Sequence, residues 1–274
     1  MVLEIIFKPF SAIKNRKLAA FLSGLLYSTL GVFLSIWVFR EYASFIMVFL
    51  SAMAAMPFIY DSIKSEEKKD LKINDEYKLL KEHSKWVIVF IFIFIGLFVG
   101  FFIWHTVLPD SVVNDVFSTQ SSTILSINSH VSGNFSDSLN LFSKIFFNNI
   151  KVLIFCILFA FLYGFGAIFI LAWNASVVST AAGIFFKNSI LQKGLMYSIS
   201  FSLLRYMIHG IPEMAGYMIG GLAGGIISVA IIRHDIRTKK FENILLDSSE
   251  LLLIAIFILF IAALLEVFVT PLIF

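Results

Sequence analysis

Charge is scarce in this chain. Asp, Glu, Lys and Arg make up 14% of its 274 residues, against about 25% in soluble domains. Those few charges are clustered, and 59% of the chain is hydrophobic, which excludes an ordinary soluble domain. A net charge of +3 is too small and too scattered to argue for nucleic acid. One cysteine, Cys156, excludes an intrachain disulfide and a thiolate metal cluster. Nothing matches a nucleotide-binding loop or a G-x-S-x-G elbow, and no plausible serine nucleophile has a base beside it. No metal or cofactor is expected. The basic stretch Met1–Lys17 is followed by an apolar run as long as a membrane span, so no cleavable leader is expected.

What remains is a series of long apolar runs. A spanning helix needs about 20 apolar residues. The fold expected is all-α, a polytopic integral membrane protein with about seven membrane segments, one region broken or re-entrant, and a glycine-rich packing helix. Leu18–Phe39 and Ala43–Tyr60 read as a helical hairpin joined at Arg40-Glu41. Residues 61–85 hold seven lysines and seven acids and read as a solvated connecting helix. Trp86–Leu108 is a third span with Trp86 and Trp104 as interfacial anchors. Residues 1–108 thus form a three-span region. Residues 109–149 form a polar, serine-rich segment ending in a short interfacial helix, Asn140–Asn149. Residues 150–274 form a membrane core that begins with a span over Lys151–Trp173.

Lys and Arg set the orientation. They fill the N-terminus, residues 61–85 and residues 233–240, whereas 109–149 carries only Lys144. The N-terminus is therefore expected to be cytoplasmic and the loop 109–149 external, in a multi-pass protein of the cell membrane. An odd number of crossings must then separate Asn149 from Arg233. Ala175–Phe186 and Leu195–Ile208 are short, and Pro212 follows. The expectation is one broken or re-entrant passage within 174–210, with breaks at Gly210 and Pro212 and another at Pro271. Such backbone is tolerated at membrane depth only where protein covers it or it lines a cavity.

The polar residues in these runs are candidate functional residues, because ionisable groups at membrane depth are expensive. His209 and Glu213 are four apart and share a helical face. Glu266 lies in the last apolar run, about 24 Å along it at 1.5 Å per residue. Asn149 and Asn174 bracket the fourth span. These five residues form the expected intramembrane polar core. The pair reads either as a hydrogen-bond staple between half-helices or as a proton-coupled, metal-binding or catalytic pair. Two ligands are too few for a metal. Gly216, Gly220 and Gly224, with Gly221 and Gly225, form a close-packing face; the sequence does not say whether its partner belongs to the same chain.

Asn148-Asn149, Gly164, Gly166, Asn174, His209-Gly210-Ile211-Pro212-Glu213, the small-residue helix through Gly225, and Glu266 with Thr270-Pro271 together resemble the stage II sporulation protein M family. The likeness is strongest over residues 140–274, and the first hundred residues look like archaeal-type or non-sporulating members. The resemblance implies a non-enzymatic membrane protein, since in spore formers the family member resembles a scaffold for cell-wall hydrolases. It also implies that His209, Glu213 and Glu266 belong to a shared membrane core. Three functions follow as expectations: a scaffold organising partner proteins, surrounded by membrane lipids, as a homodimer or in a larger complex; a transporter or channel for a small solute, ion or lipid; and an intramembrane metal enzyme.

Overall fold

In the computed structural model the described residues are 13, 15–70, 76–128, 135–163, 166–232 and 239–273. The order is α1 (Arg16–Val38), a 3-10 turn (Arg40–Tyr42), α2 (Ala43–Asp70), α3 (Glu76–Val107), α4 (Asp110–Val116), α5 (Ser118–Asn128), α6 (Phe135–Tyr163), α7 (Gly166–Lys193), α8 (Leu195–Ile232), α9 (Lys239–Leu264), a π turn (Leu265–Val269) and α10 (Thr270–Ile273). Among the described residues there is no strand, so the chain is all-α. Among the described residues, five helical stretches, 16–38, 87–107, 138–160, 168–193 and 241–273, are long and apolar enough to cross a membrane.

Local chemistry sets the helix ends. The Asn15 side chain caps α1 by accepting from the amides of Lys17 (3.1 Å) and Leu18 (3.4 Å), which satisfies two otherwise orphaned donors. Gly194 divides α7 from α8. It has φ of +80°, a conformation glycine adopts at little steric cost. Its amide bonds the Ile190 carbonyl at 3.1 Å, closing α7 as a glycine stop does.

The break therefore falls at Gly194, inside the expected stretch 174–210 but not at Gly210 or Pro212. Helix α7 runs unbroken through Asn174, whose amide group donates to the Ile170 carbonyl of its own helix at 2.9 Å. The asparagine is satisfied locally and opens nothing. Helix α8 runs unbroken through Gly210 and Pro212. Proline removes one backbone bond, but α8 packs against α6, α7 and α9, and tertiary packing outweighs local propensity. Pro271 sits in the first turn of α10, just after the π turn, so it too marks no interruption. Nor is Asn140–Asn149 a separate helix: it is part of α6.

Small residues let the backbones approach. A Cβ on Gly24 would overlap the Ile93 carbonyl, and one on Gly96 the Phe21 carbonyl, so α1 and α3 meet at backbone distance. The Ser51 hydroxyl donates to the Tyr27 carbonyl at 3.1 Å, tying α2 to α1, and the Trp104 indole donates to Thr29 at 3.0 Å, tying α3 to α1. Phe94, Leu97, Phe98 and Phe101 fill the core beside them. The glycine face of α8 is used within the chain. Gly216 meets Leu259 and the Ala255 carbonyl of α9; Gly220 meets Leu153, and Gly224 meets the Ile157 backbone, both on α6. Gly221 is buried, whereas a Cβ on Gly210 or Gly225 would meet nothing within 4 Å.

The serine-rich segment folds onto one end of the bundle. Val113, Val116 and Phe117 are buried. Asp110 binds Lys187 of α7 at 2.7 Å, and Asp115 binds Arg40 at 3.0 Å. The hydrogen bond and charge of Lys187 hold the Asp110 carboxyl below its ordinary 3.8.

Two expectations follow. Gly96→Ala destabilises the protein by about 1–3 kcal/mol through overpacking, whereas Gly225→Ala is neutral or slightly stabilising; thermal unfolding in detergent compares them, and equal midpoints would refute the backbone contact. For Asp110, a lowered folded value means the ion-pair contribution is complete above 3.8 and is lost as pH falls through the lowered value. Proteolysis of the α4 segment should therefore be flat across neutral pH and rise only in strong acid; a rise near neutrality contradicts it.

Candidate functional site: a carboxyl pair on an asparagine–tyrosine bridge

Glycine packing on α8 determines what the polar residues can reach. With α6 drawn against Gly220 and Gly224, Asn149 stands directly beside the α8 turn that carries Glu213 and Tyr217. Its Nδ2 donates to Glu213 Oε1 at 2.7 Å. Its Oδ1 accepts from the Tyr217 hydroxyl at 2.9 Å. The two bonds fix the amide orientation, since a carboxylate oxygen accepts and the phenol here donates. Asn149 and Tyr217 are almost fully buried, at 3% and 1% exposure, and Glu213 is partly buried.

Glu266 completes the group from the π turn that follows α9. The π turn that carries it is closed by Thr270, whose amide and hydroxyl both reach the Leu265 carbonyl, the hydroxyl at 3.0 Å. Single π turns recur at functional sites. The π turn packs against both α6 and α8, which puts Glu266 on the side of the bundle that holds Asn149 and Glu213, within electrostatic reach of Glu213.

Of the five expected core residues, the structure brings together Asn149, Glu213 and Glu266. It does not bring in the other two. Asn174 bonds its own helix. His209 is buried, but its ring lies 6.4 Å from that of Tyr206, and its Nδ1 has no hydrogen-bond partner among the described residues. The staple expected between His209 and Glu213 is instead a bridge from Glu213 to α6. Tyr217 escaped the sequence reading; its spacing of four from Glu213 was the available signal. Among the described residues no three His, Cys, Asp or Glu side chains form a group able to hold a metal.

The profile of the Stage II sporulation protein M family matches residues 89–271. The chain belongs to that family. The match takes in α4, α5 and all four residues of the carboxyl site, and its apolar helices fit a membrane protein. It begins well before residue 140, where the resemblance in the sequence becomes strongest. No curated protein and no solved structure matches the chain.

Tyr217→Phe should cost about 1 kcal/mol, the net worth of one hydrogen bond. Asn149→Ala should cost about 1–3 kcal/mol, because it leaves the phenol and the carboxyl without their partner. Combined, the two should cost less than their sum, since they remove a shared bond. Strict additivity in thermal unfolding would show that the bridge is absent.

Proposed function

We propose that this protein is a multi-pass transporter of the cell membrane whose α6–α8–α9 core binds a proton or small cation and couples it to movement of a small solute. The carrying observation is the second carboxyl. A structural staple is already complete with Tyr217, Asn149 and Glu213. Glu266 brings a second carboxyl to this partly buried site from the π turn packed against α6 and α8, and neighbouring carboxyls disfavour each other's ionisation, so the site favours taking up a proton or a cation. Groups of this kind at membrane depth commonly mark ion or substrate pathways.

The topology is part of the proposal. Positive residues place the N-terminus in the cytoplasm and α4–α5 outside. Asn149, Leu153 and Ile157 meet Glu213, Gly220 and Gly224 in the same chain order, so α6 and α8 run in the same direction. That is what three unbroken crossings by α6, α7 and α8 require.

The test is uptake by proteoliposomes from a small-molecule extract under an imposed pH or Na+ gradient, with the contents read by mass spectrometry. The wild type should accumulate at least one solute, and Glu213→Gln should fall to the protein-free level. Equal uptake by wild type and Glu213→Gln would remove the carboxyl pair from the mechanism.

A scaffold that organises partner proteins is the second reading. It is favoured by the open side of the bundle: α6 and α9 leave most of their apolar span uncovered, and that surface is available to lipid, to a second copy or to a partner. The glycine face no longer argues for a dimer, since α6 and α9 occupy it. A partner that co-purifies in mild detergent, with no solute uptake in vesicles, would favour the scaffold.

A further inference from the structure

The segment α4–α5 lies outside the carboxyl site, and its two halves are held in different ways. Helix α4 is fastened by apolar burial: Val113, Val116 and Phe117 are all buried. Over residues 118–125 of α5 the one buried side chain is Gln120, which is fully buried, while Leu125 is 70% exposed. A polar residue is thus the main anchor of α5. Its Nε2 donates to the Ser44 carbonyl at the start of α2 (3.0 Å) and to the Ser176 hydroxyl of α7 (3.2 Å). Beside it the Thr119 and Ser44 hydroxyls bond each other.

Beneath this helix the bundle is polar. Ser176, Ser179 and Thr180 of α7 are fully buried. Of the buried polar atoms without a hydrogen-bond partner among the described residues, two belong to this region: Gln120 Oε1 and His105 Nδ1. They flank Phe117, which packs edge-on against the His105 ring at 5.0 Å, and His105 is wedged against Gly183. Buried polar groups without partners are disfavoured relative to their hydrated state, and natural structures keep few of them. The exposed ion pairs Asp110–Lys187 and Asp115–Arg40 both precede Phe117. They fasten α4, and neither involves a residue of α5.

We propose that α5 is a removable plug, keyed between α2 and α7 by Gln120 and hinged at Phe117, and that its withdrawal opens the Ser176–Ser179–Thr180 seam to water. Withdrawal hydrates Gln120 Oε1 and breaks the hydrogen bonds to Ser44 and Ser176. An eleven-residue helix has little stability of its own once undocked.

The test uses Ser179→Cys as a reporter in a Cys156→Ala background, labelled in detergent by a charged maleimide and read by peptide mass. Ser44→Cys/Thr119→Cys supplies a lock, since the two hydroxyls already touch. The reporter thiol should label slowly in the open background, at least about tenfold more slowly when the lock is oxidised, and about fivefold faster in Gln120→Ala, the equivalent of one lost hydrogen bond. Labelling that is absent without the lock, or unchanged by it, overturns the plug. Hydrogen–deuterium exchange of the cysteine-free protein provides a readout that does not depend on the lock. Amides of 118–125 should exchange together and much faster than those of 176–183; equal protection of the two stretches would also overturn it.

Discussion

Close backbone approach at glycine is the constraint on which the rest of the molecule depends. Side chains alone cannot bring α1 to α3, or α8 to α6 and α9, at the separations seen; Gly24, Gly96, Gly216 and Gly224 can, because a Cβ at each would collide with a neighbouring helix. Small residues serve this role where apolar surface gives helices no preference for one another over lipid. The functional consequence lies on α8. Drawing α6 against Gly220 and Gly224 places Asn149 within 2.7 Å of Glu213. Drawing α9 against Gly216 brings the π turn with Glu266 alongside.

The site that results carries more polarity than a structural bridge needs. Asn149 satisfies a carboxyl and a phenol with one side chain, and a packed, buried network of that kind rigidifies its surroundings. Glu266 works against that economy unless something positive joins it. A bound proton or cation would make the cluster a switch between two packings of α6, α8 and α9, since packed interfaces change between discrete arrangements rather than deform continuously. Away from that site, Gln120 holds α5 by polar contacts where α4 relies on apolar ones.

Much of the fold was legible from composition. Long apolar runs with few charges gave the helices, and the spacing of Gly216, Gly220 and Gly224 gave a packing face. Their partner was not legible, because close packing looks the same within a chain and between chains. Pro212 and Asn174 misled for a local reason: each is a recognised interrupter, yet α8 keeps its course under packing from three neighbours, and Asn174 spends its amide on Ile170. At the site, Asn149, Glu213 and Glu266 stood out as polar residues in apolar runs. Tyr217 did not, since an aromatic in such a run reads as ordinary core. The spacing of His209 and Glu213 was read correctly as one helical face but not as a partnership, because the better acceptor–donor match lay on α6. Gln120 was hidden in a serine-rich stretch whose polarity suggested solvent.

The most direct measurement is the distance between spin labels on α6 and α9, placed at the exposed positions Phe147 and Phe257 in protein held in lipid nanodiscs. It is recorded from acid to alkaline pH, with and without Na+. A core that binds a proton or cation predicts two distance populations whose ratio follows pH or Na+ in the wild type and becomes fixed in Glu213→Gln and Glu266→Gln. One invariant distance across all conditions, identical in the variants, would contradict the switch and leave the carboxyl cluster as a structural element alone.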